Sequence, residues 1–284
     1  MSPTPPPTPP TPPPPPSDNH IERHHHPVVI PAAIKDAPAR LFFGGSFDPP
    51  HLAHTQLPIL AAQQYELTHA LMPGQCHLVY VPASRSPHKD TSPTPDQHRV
   101  EMLRIAIKDL DHPATVWTQE LADGLLNEGQ PSYWADTWAI AHSMLTTGTN
   151  RFLIGADQAR SMHKWHRYQE FWKDAIVILR ATPNQSPHQS TDAPNDITQL
   201  IDQLDQTGAW TNEDLRHWES ICIQTQTLPY ASTTIREQLA AVNRDNRPNN
   251  SPDSSPNENQ QKTTRIEGLD PGVQSYIFKH QLYS

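Results

Sequence analysis

Residues 41–54 read Leu41-Phe42-Phe43-Gly44-Gly45-Ser46-Phe47-Asp48-Pro49-Pro50-His51-Leu52-Ala53-His54, an apolar run that breaks on two glycines and ends on two histidines. A continuous apolar run closed by glycine is what a strand covered on both faces looks like. Paired glycines let the backbone turn sharply and come close to a ligand. The N–H groups that such a turn exposes, with a helix start just beyond, suit an anionic phosphate. His51 and His54 stand three apart and share one face of a helical turn. Two imidazoles there can donate hydrogen bonds to charge that grows on transferring oxygens. The glycine spacing fits neither a Walker loop nor a dinucleotide fingerprint. A metal pair competes for the two histidines, but no glutamate or further ligand completes a recognised zinc pattern, so no metal ligand is assigned. A purely structural role for both rings also stays open from spacing alone.

Working outward, the same kind of apolar run recurs at His77–Val81, Ala114–Trp117, Arg151–Ile154, Ala175–Leu179 and Ser220–Gln224. Helical patterns lie between them. The clearest is Asp96–Leu110, where Val100, Leu103, Ile107 and Leu110 fall on one face. Others are near Leu57–Tyr65, Ser132–Leu145, Gln158–Phe171, Thr233–Val242 and Val273–His280. Strand alternating with helix predicts an α/β domain with a doubly wound, mostly parallel sheet, whose ligands collect at the carboxyl ends of the strands. Trp117, Trp138, Trp172, Trp210 and Trp218 are read as packing.

Composition sets the limits of that domain. The 284 residues suffice for one good-sized α/β domain, yet only 35% are hydrophobic and 32 are proline. Eleven of the first sixteen residues are proline. Residues 1–37 therefore read as a disordered Pro/His-rich tail, able to sample polyproline II but without the apolar surface to fold. His20 and His24–His26 within it suit adventitious metal binding at most. Residues 38–284 form the domain, with polar surface insertions near 182–195 and 243–264. The formal charge of −9 and the lack of any Lys/Arg run argue against nucleic-acid and anionic-membrane partners. No apolar stretch approaches a membrane span, and no secretory leader is read at the start. Cys76 and Cys222 are too few for a disulfide framework and read as buried free thiols in a reducing cytoplasm.

Residues 44–54 (GGSFDPPHLAH) resemble the G-G-[ST]-F-D-P-x-H-x-G-H signature of bacterial nicotinate-nucleotide adenylyltransferases, within the wider nucleotidyltransferase superfamily with H-x-G-H signatures. Five further segments follow in order. Val81–Lys89 (VPASRSPHK) resembles I-P-x-x-x-P-P-H-K, and 131–137 (PSYWADT) resembles P-S-Y-T-x-x-T. Ile154–Asp157 (IGAD) with Lys164-Trp165-His166 resembles I-G-x-D and the Trp segment after it. Tyr230–Arg236 (YASTTIR) resembles I-S-[SA]-T-x-I-R, and Gly272–Ile277 with Leu282-Tyr283 resembles the closing V-x-x-Y-I and L-Y. Three positions depart: Ala53 stands for the usual Gly, Trp134 for Thr, and Ala231 for the first Ser of the fifth segment. Ala53 adds a methyl group near the phosphate turn, and Ala231 removes one phosphate hydroxyl.

The resemblance implies a Rossmann-like nucleotidyltransferase fold and a transfer of the adenylyl group of ATP to nicotinate mononucleotide in NAD biosynthesis, with Mg²⁺ bridging the triphosphate. It implies catalytic roles for His51, His54, Ser46 and Arg236. It places ATP phosphates or nucleoside at Gly44, Gly45, Ser46, Phe47, His54, Asp157, Ser232, Thr233 and Arg236. The nicotinate nucleotide is assigned to His88, Lys89, Ser132, Tyr133 and Trp165. The later segments also make physical sense: hydroxyls, free N–H groups and a guanidinium at one helix start form a second anion site. A Pro-Ser-Tyr helix start offers backbone N–H groups to a carboxylate, and Trp165 offers a stacking ring. Alternatives are an adenylyltransferase acting on nicotinamide mononucleotide or phosphopantetheine, and a non-catalytic nucleotide-binding scaffold whose Pro-rich tail recruits SH3-like partners. A homo-oligomer is compatible with either.

Overall fold

A computed structural model of the protein describes residues 27–84, 94–126, 132–181, 194, 196–226, 228–245 and 264–283. Six strands, β1 (Ala39–Gly45), β2 (Cys76–Pro82), β3 (Ala114–Val116), β4 (Thr149–Gly155), β5 (Ala175–Ala181) and β6 (Cys222–Gln226), form one sheet in the order β3-β2-β1-β4-β5-β6. Every pairing is parallel. Ten helices are seen among the described residues: α1 (Ala32–Lys35), α2 (Leu52–Thr68), α3 (Asp96–Ile107), α4 (Gln119–Leu126), α5 (Trp134–Met144), α6 (Ala156–Ser161), α7 (Ile197–Gln206), α8 (Asn212–Ser220), α9 (Ser232–Asp245) and α10 (Pro271–Lys279).

The apolar runs are continuous because successive side chains leave opposite faces of the sheet and both faces are covered. Leu41, Leu78, Tyr80, Leu153, Ile176 and Ile178 pack with Ala61 and Tyr65 of α2 and Leu103 of α3. Their neighbours Phe42, Val79, Val81, Phe152, Ile154, Val177 and Leu179 face the other way, onto Trp138 of α5, Ala159 of α6, Leu200 of α7 and Trp218 of α8. Each such fully buried side chain stabilises the fold by about 1.5–3 kcal/mol. A third cluster joins Met102 of α3, Ile235 and Leu239 of α9, and Val273 and Ile277 of α10. The five tryptophans read as packing are all buried.

From β1 the chain winds outward to β2 and β3, and from β4 outward to β5 and β6. The helices after β1 and β4 therefore diverge, and a crevice opens between the carboxyl ends of these two neighbouring strands.

Three sequence readings change. Residues 27–37, placed in the tail, are packed onto the domain: Ile34 is fully buried, Val28 and Ile30 lie against the core, and the Trp117 indole donates to the Val29 carbonyl at 3.0 Å. The few apolar residues of that segment suffice because Trp117 and α5 offer a ready-made face. Residues 1–26 lie outside the described residues. The single helix expected over 158–171 is α6 followed by short 3-10 turns at 162–164, 168–170 and 172–174. Trp165 leaves helical geometry and Arg167 turns left-handed with φ of 52°, which steers Trp165, Tyr168, Phe171 and Trp172 onto the core one by one. Helices α4, α7 and α8 were not foreseen. Of the two polar insertions, residues 182–193, 195 and 246–263 lie outside the described residues.

Candidate functional site

Residues 44–54 leave β1 at the mouth of this crevice and run into α2. A Cβ on Gly44 would sit 3.0 Å from the Trp134 ring, and one on Gly45 would sit 3.1 Å from the Phe47 ring. Glycine is what allows both rings to close over the turn. Phe47 itself takes a left-handed φ of 49° and is buried between Phe43, Tyr80 and His54. A bulky residue in that conformation is held there by its surroundings. Trp134, which replaces the usual Thr, stacks on Trp138 and lies tilted against Phe152, and so works as packing behind the loop.

His51 caps α2 and His54 lies one turn on, with the two rings stacked at 3.7 Å between centroids. The His51 backbone N–H donates to His54 Nδ1 at 3.3 Å. His51 is buried, and its Nδ1 meets no hydrogen-bond partner among the described residues. Burial, aided by the nearby Arg180 guanidinium, lowers its pKa to about 4, so the ring is neutral at pH 7. Ala53 between them is buried, and its methyl group is accommodated in the apolar cluster under α2.

Three elements fasten this loop from outside. From α9, Ser232 Oγ donates to the Pro49 carbonyl at 3.0 Å, and Arg236 Nη1 donates to the Asp48 carbonyl at 2.6 Å. Arg236 Nη2 also reaches Thr233 Oγ1 at 3.3 Å. From the end of the chain, Tyr283 Oη donates to Asp48 Oδ1 at 2.5 Å, and the Leu52 N–H donates to the Gly268 carbonyl at 2.8 Å. From α3, the fully buried Arg99 donates to the carbonyls of Ser46 at 2.7 Å, Ala83 at 2.8 Å and Thr94 at 3.1 Å, and pairs with Asp96 at 2.5 Å.

The fold thus brings Gly44, Gly45, Ser46, Phe47, His51, His54, Ser232, Thr233 and Arg236 to one place. Asp157 is exposed at the start of α6 as the chain leaves β4; a Cβ on Gly155 would come within 2.7 Å of its carboxylate. Ser132 and Tyr133 precede α5, whose first residue covers Gly44; Ser132 Oγ donates to the buried Glu120 at 2.6 Å, and the Tyr133 ring lies 4.5 Å from that of His166. Trp165 is half-buried, with its ring 6.4 Å from Phe171, so it leans on the core. His88 and Lys89 lie outside the described residues. Sequence reasoning missed Arg99, Glu120 and Arg180, and gave Tyr283 no role. Among the described residues no three His, Cys, Asp or Glu side chains cluster to hold a metal ion, and no helix is long and apolar enough to cross a membrane.

A glycine turn, a helix start and two stacked histidines meet at the switch point of a parallel sheet, the place where α/β domains bind their ligands. A family model described as cytidylyltransferase-like matches residues 42–238, and the chain belongs to that family. Within it, the chain is similar to a probable nicotinate-nucleotide adenylyltransferase of Albidiferax ferrireducens, 33% identical over 48% of this chain and 62% of that one. It is also similar to a probable nicotinate-nucleotide adenylyltransferase of Listeria welshimeri, 30% identical over 55% of this chain and 74% of the relative. A solved Plasmodium falciparum nicotinic acid mononucleotide adenylyltransferase complexed with APC superposes with a TM-score of 0.49 at 15% identity, covering 87% of this chain and 97% of that one.

Proposed function

We propose that this chain is a nicotinate-nucleotide adenylyltransferase. It transfers the adenylyl group of ATP to nicotinate mononucleotide, giving nicotinate adenine dinucleotide and pyrophosphate. The observation that carries this reading is the loop from Gly44 to His54, with its stacked histidines, set against the Ser232–Arg236 helix start. The names of the similar chains support the same reaction.

The acceptor phosphate is already ionised at pH 7, so no side chain need act as nucleophile. One of its oxygens attacks the α-phosphorus of ATP in line, and the bond from that phosphorus to the bridging oxygen breaks to release pyrophosphate. The work left for the protein is alignment and neutralisation of charge. The N–H groups of the Gly44–Ser46 turn and the Ser46 hydroxyl orient the transferring phosphoryl. His51 and His54 donate hydrogen bonds to its oxygens; His51, neutral at pH 7, does so through a single N–H. Thr233, Ser232 and Arg236 hold the β and γ phosphates, with Arg236 steadied from behind by the Asp48 carbonyl. Asp157 takes a ribose hydroxyl of ATP. Ser132, Tyr133 and Trp165, with His88 and Lys89, take the nicotinate nucleotide, the helix start of α5 facing the ring carboxylate. Mg²⁺ brought in with ATP would supply further neutralisation of the triphosphate charge beside Ser232, Thr233 and Arg236. The two free thiols suit a cytoplasmic enzyme.

The test is pyrophosphate release with ATP and each acceptor in parallel. Nicotinate mononucleotide is expected to give the highest kcat/KM. Faster release with nicotinamide mononucleotide or phosphopantetheine would move the acceptor, and ATP binding without release from any acceptor would make the chain a non-catalytic binder.

A further inference from the structure

Glu120 is a buried carboxylate on α4 with no part in the chemistry above. One of its oxygens, Oε1, accepts from Ser132 Oγ at 2.6 Å and from the Ser84 N–H at 3.4 Å. Ser132 opens the segment assigned to the acceptor nucleotide, and Ser84 lies just past β2. The residue before it, Ala83, donates its N–H to the Gly45 carbonyl at 2.9 Å and accepts from Arg99 at 2.8 Å. Arg99 in turn holds the Ser46 carbonyl at 2.7 Å. A chain of bonds, anchored on the buried Glu120 and Arg99, thus runs Ser132–Glu120–Ser84–Ala83–Arg99–Ser46, from one assigned segment to the other. Gly124, one turn after Glu120, shows that α4 is pressed onto this relay: a Cβ there would fall 1.8 Å from Ser84 Oγ. Burial pushes the Glu120 carboxyl above its usual range, while the Ser132 and Ser84 hydrogen bonds and the Arg99 charge pull it back, as expected for a buried acid kept for its partners.

We propose that Glu120 is a positioning residue for the acceptor subsite, fixing Ser132 and locking that segment in register with the phosphate loop through Ser84, Ala83 and Arg99. The inference rests on the adenylyltransferase reading. Its test is steady-state kinetics on Glu120→Ala, Glu120→Gln and Gly124→Ala, with amide hydrogen exchange on each free protein. Glu120→Ala is expected to raise KM for nicotinate mononucleotide about tenfold, the size of one charge-assisted hydrogen bond, and to move KM for ATP less than about twofold. Glu120→Gln keeps an acceptor oxygen at Oε1 and should return the acceptor KM to near the wild-type value. Gly124→Ala keeps every bonding group but lifts α4 off Ser84, and should raise the acceptor KM in the same direction if Glu120→Ala fails to fold. Equal rises in both KM values, or no rescue by glutamine, would overturn the proposal. Should wild type release no pyrophosphate with nicotinate mononucleotide, the functional reading falls on its own. Faster exchange at Ser84 and residues 132–134 in Glu120→Ala, restored in Glu120→Gln, would then still support the positioning role, and unchanged exchange would overturn it.

Discussion

The two ends of the sheet bury similar side chains and use them differently. At the amino end, Arg40 is fully buried and donates to the carbonyls of Ile34, Lys35 and Thr147 and to Asn150 Oδ1. His77 Nε2 lies 2.8 Å from Thr115 Oγ1, His112 Nε2 lies 2.6 Å from the Cys76 carbonyl, and Glu66 accepts from the Cys76 N–H at 2.8 Å. At the carboxyl end, His51 is buried but keeps a ring nitrogen without a partner among the described residues, and Arg236 reaches only the edge of the loop. Burial lowers the pKa of both His51 and His77 to about 4. A shifted pKa therefore reports desolvation at either end; what sets the crevice apart is that its buried imidazole stands at a helix start, stacked on a second one.

The sharpest way to break this comparison is at the paired rings. His54→Ala is expected to lower kcat by about 10²–10³, the size of one lost transition-state donor, with KM values moved only a few-fold. Near-normal turnover would put the carboxyl-end histidines on the same footing as His77. Next in size, Arg236→Ala should lower kcat/KM for ATP about 10- to 100-fold, as loss of a charged hydrogen-bond donor does, with little change in Tm. A fall in Tm without a kinetic effect would make Arg236 a structural cation like Arg40. The smallest effect sharpens the opposite end. His77 has a folded-state pKa of about 4 against an ordinary 6.5, so its contribution to stability is complete above pH 6.5 and is lost as pH falls toward 4. Denaturant titrations of His77→Gln should show about 1 kcal/mol less loss of stability between pH 7 and 5.5 than wild type, with kcat unchanged. An identical pH slope would mean that His77 titrates normally in the fold.

The sheet was legible because its inner strands are apolar on both faces, a pattern that Leu41–Phe43 and Ala175–Leu179 display without interruption. Helices α7 and α8 carried signals that their polar surroundings obscured. Asp196 caps α7 by accepting from Gln199, and Leu200 and Leu204 form its buried stripe. Thr211 and Asp214 make a reciprocal capping box on α8. The phosphate loop was legible because glycine pairs and spaced histidines are local features. Arg99 and Glu120 were not, because a charged residue on a helix looks solvent-facing until tertiary packing shows carbonyls and hydroxyls converging on it. The same blindness hid Arg40, whose acceptors lie as far as 110 residues away.

The loop at residues 44–54 is also held by the last part of the chain, through Gly268 to Leu52 and Tyr283 to Asp48, a separation of 235 residues for the second bond. On a ribosome the amino-terminal half, including the first turn of the site, is made long before the residues that clasp it. A nascent chain therefore carries the motif without the finished cradle. The cradle is in this sense a late product of synthesis, closed only once residues 268–283 have joined the fold.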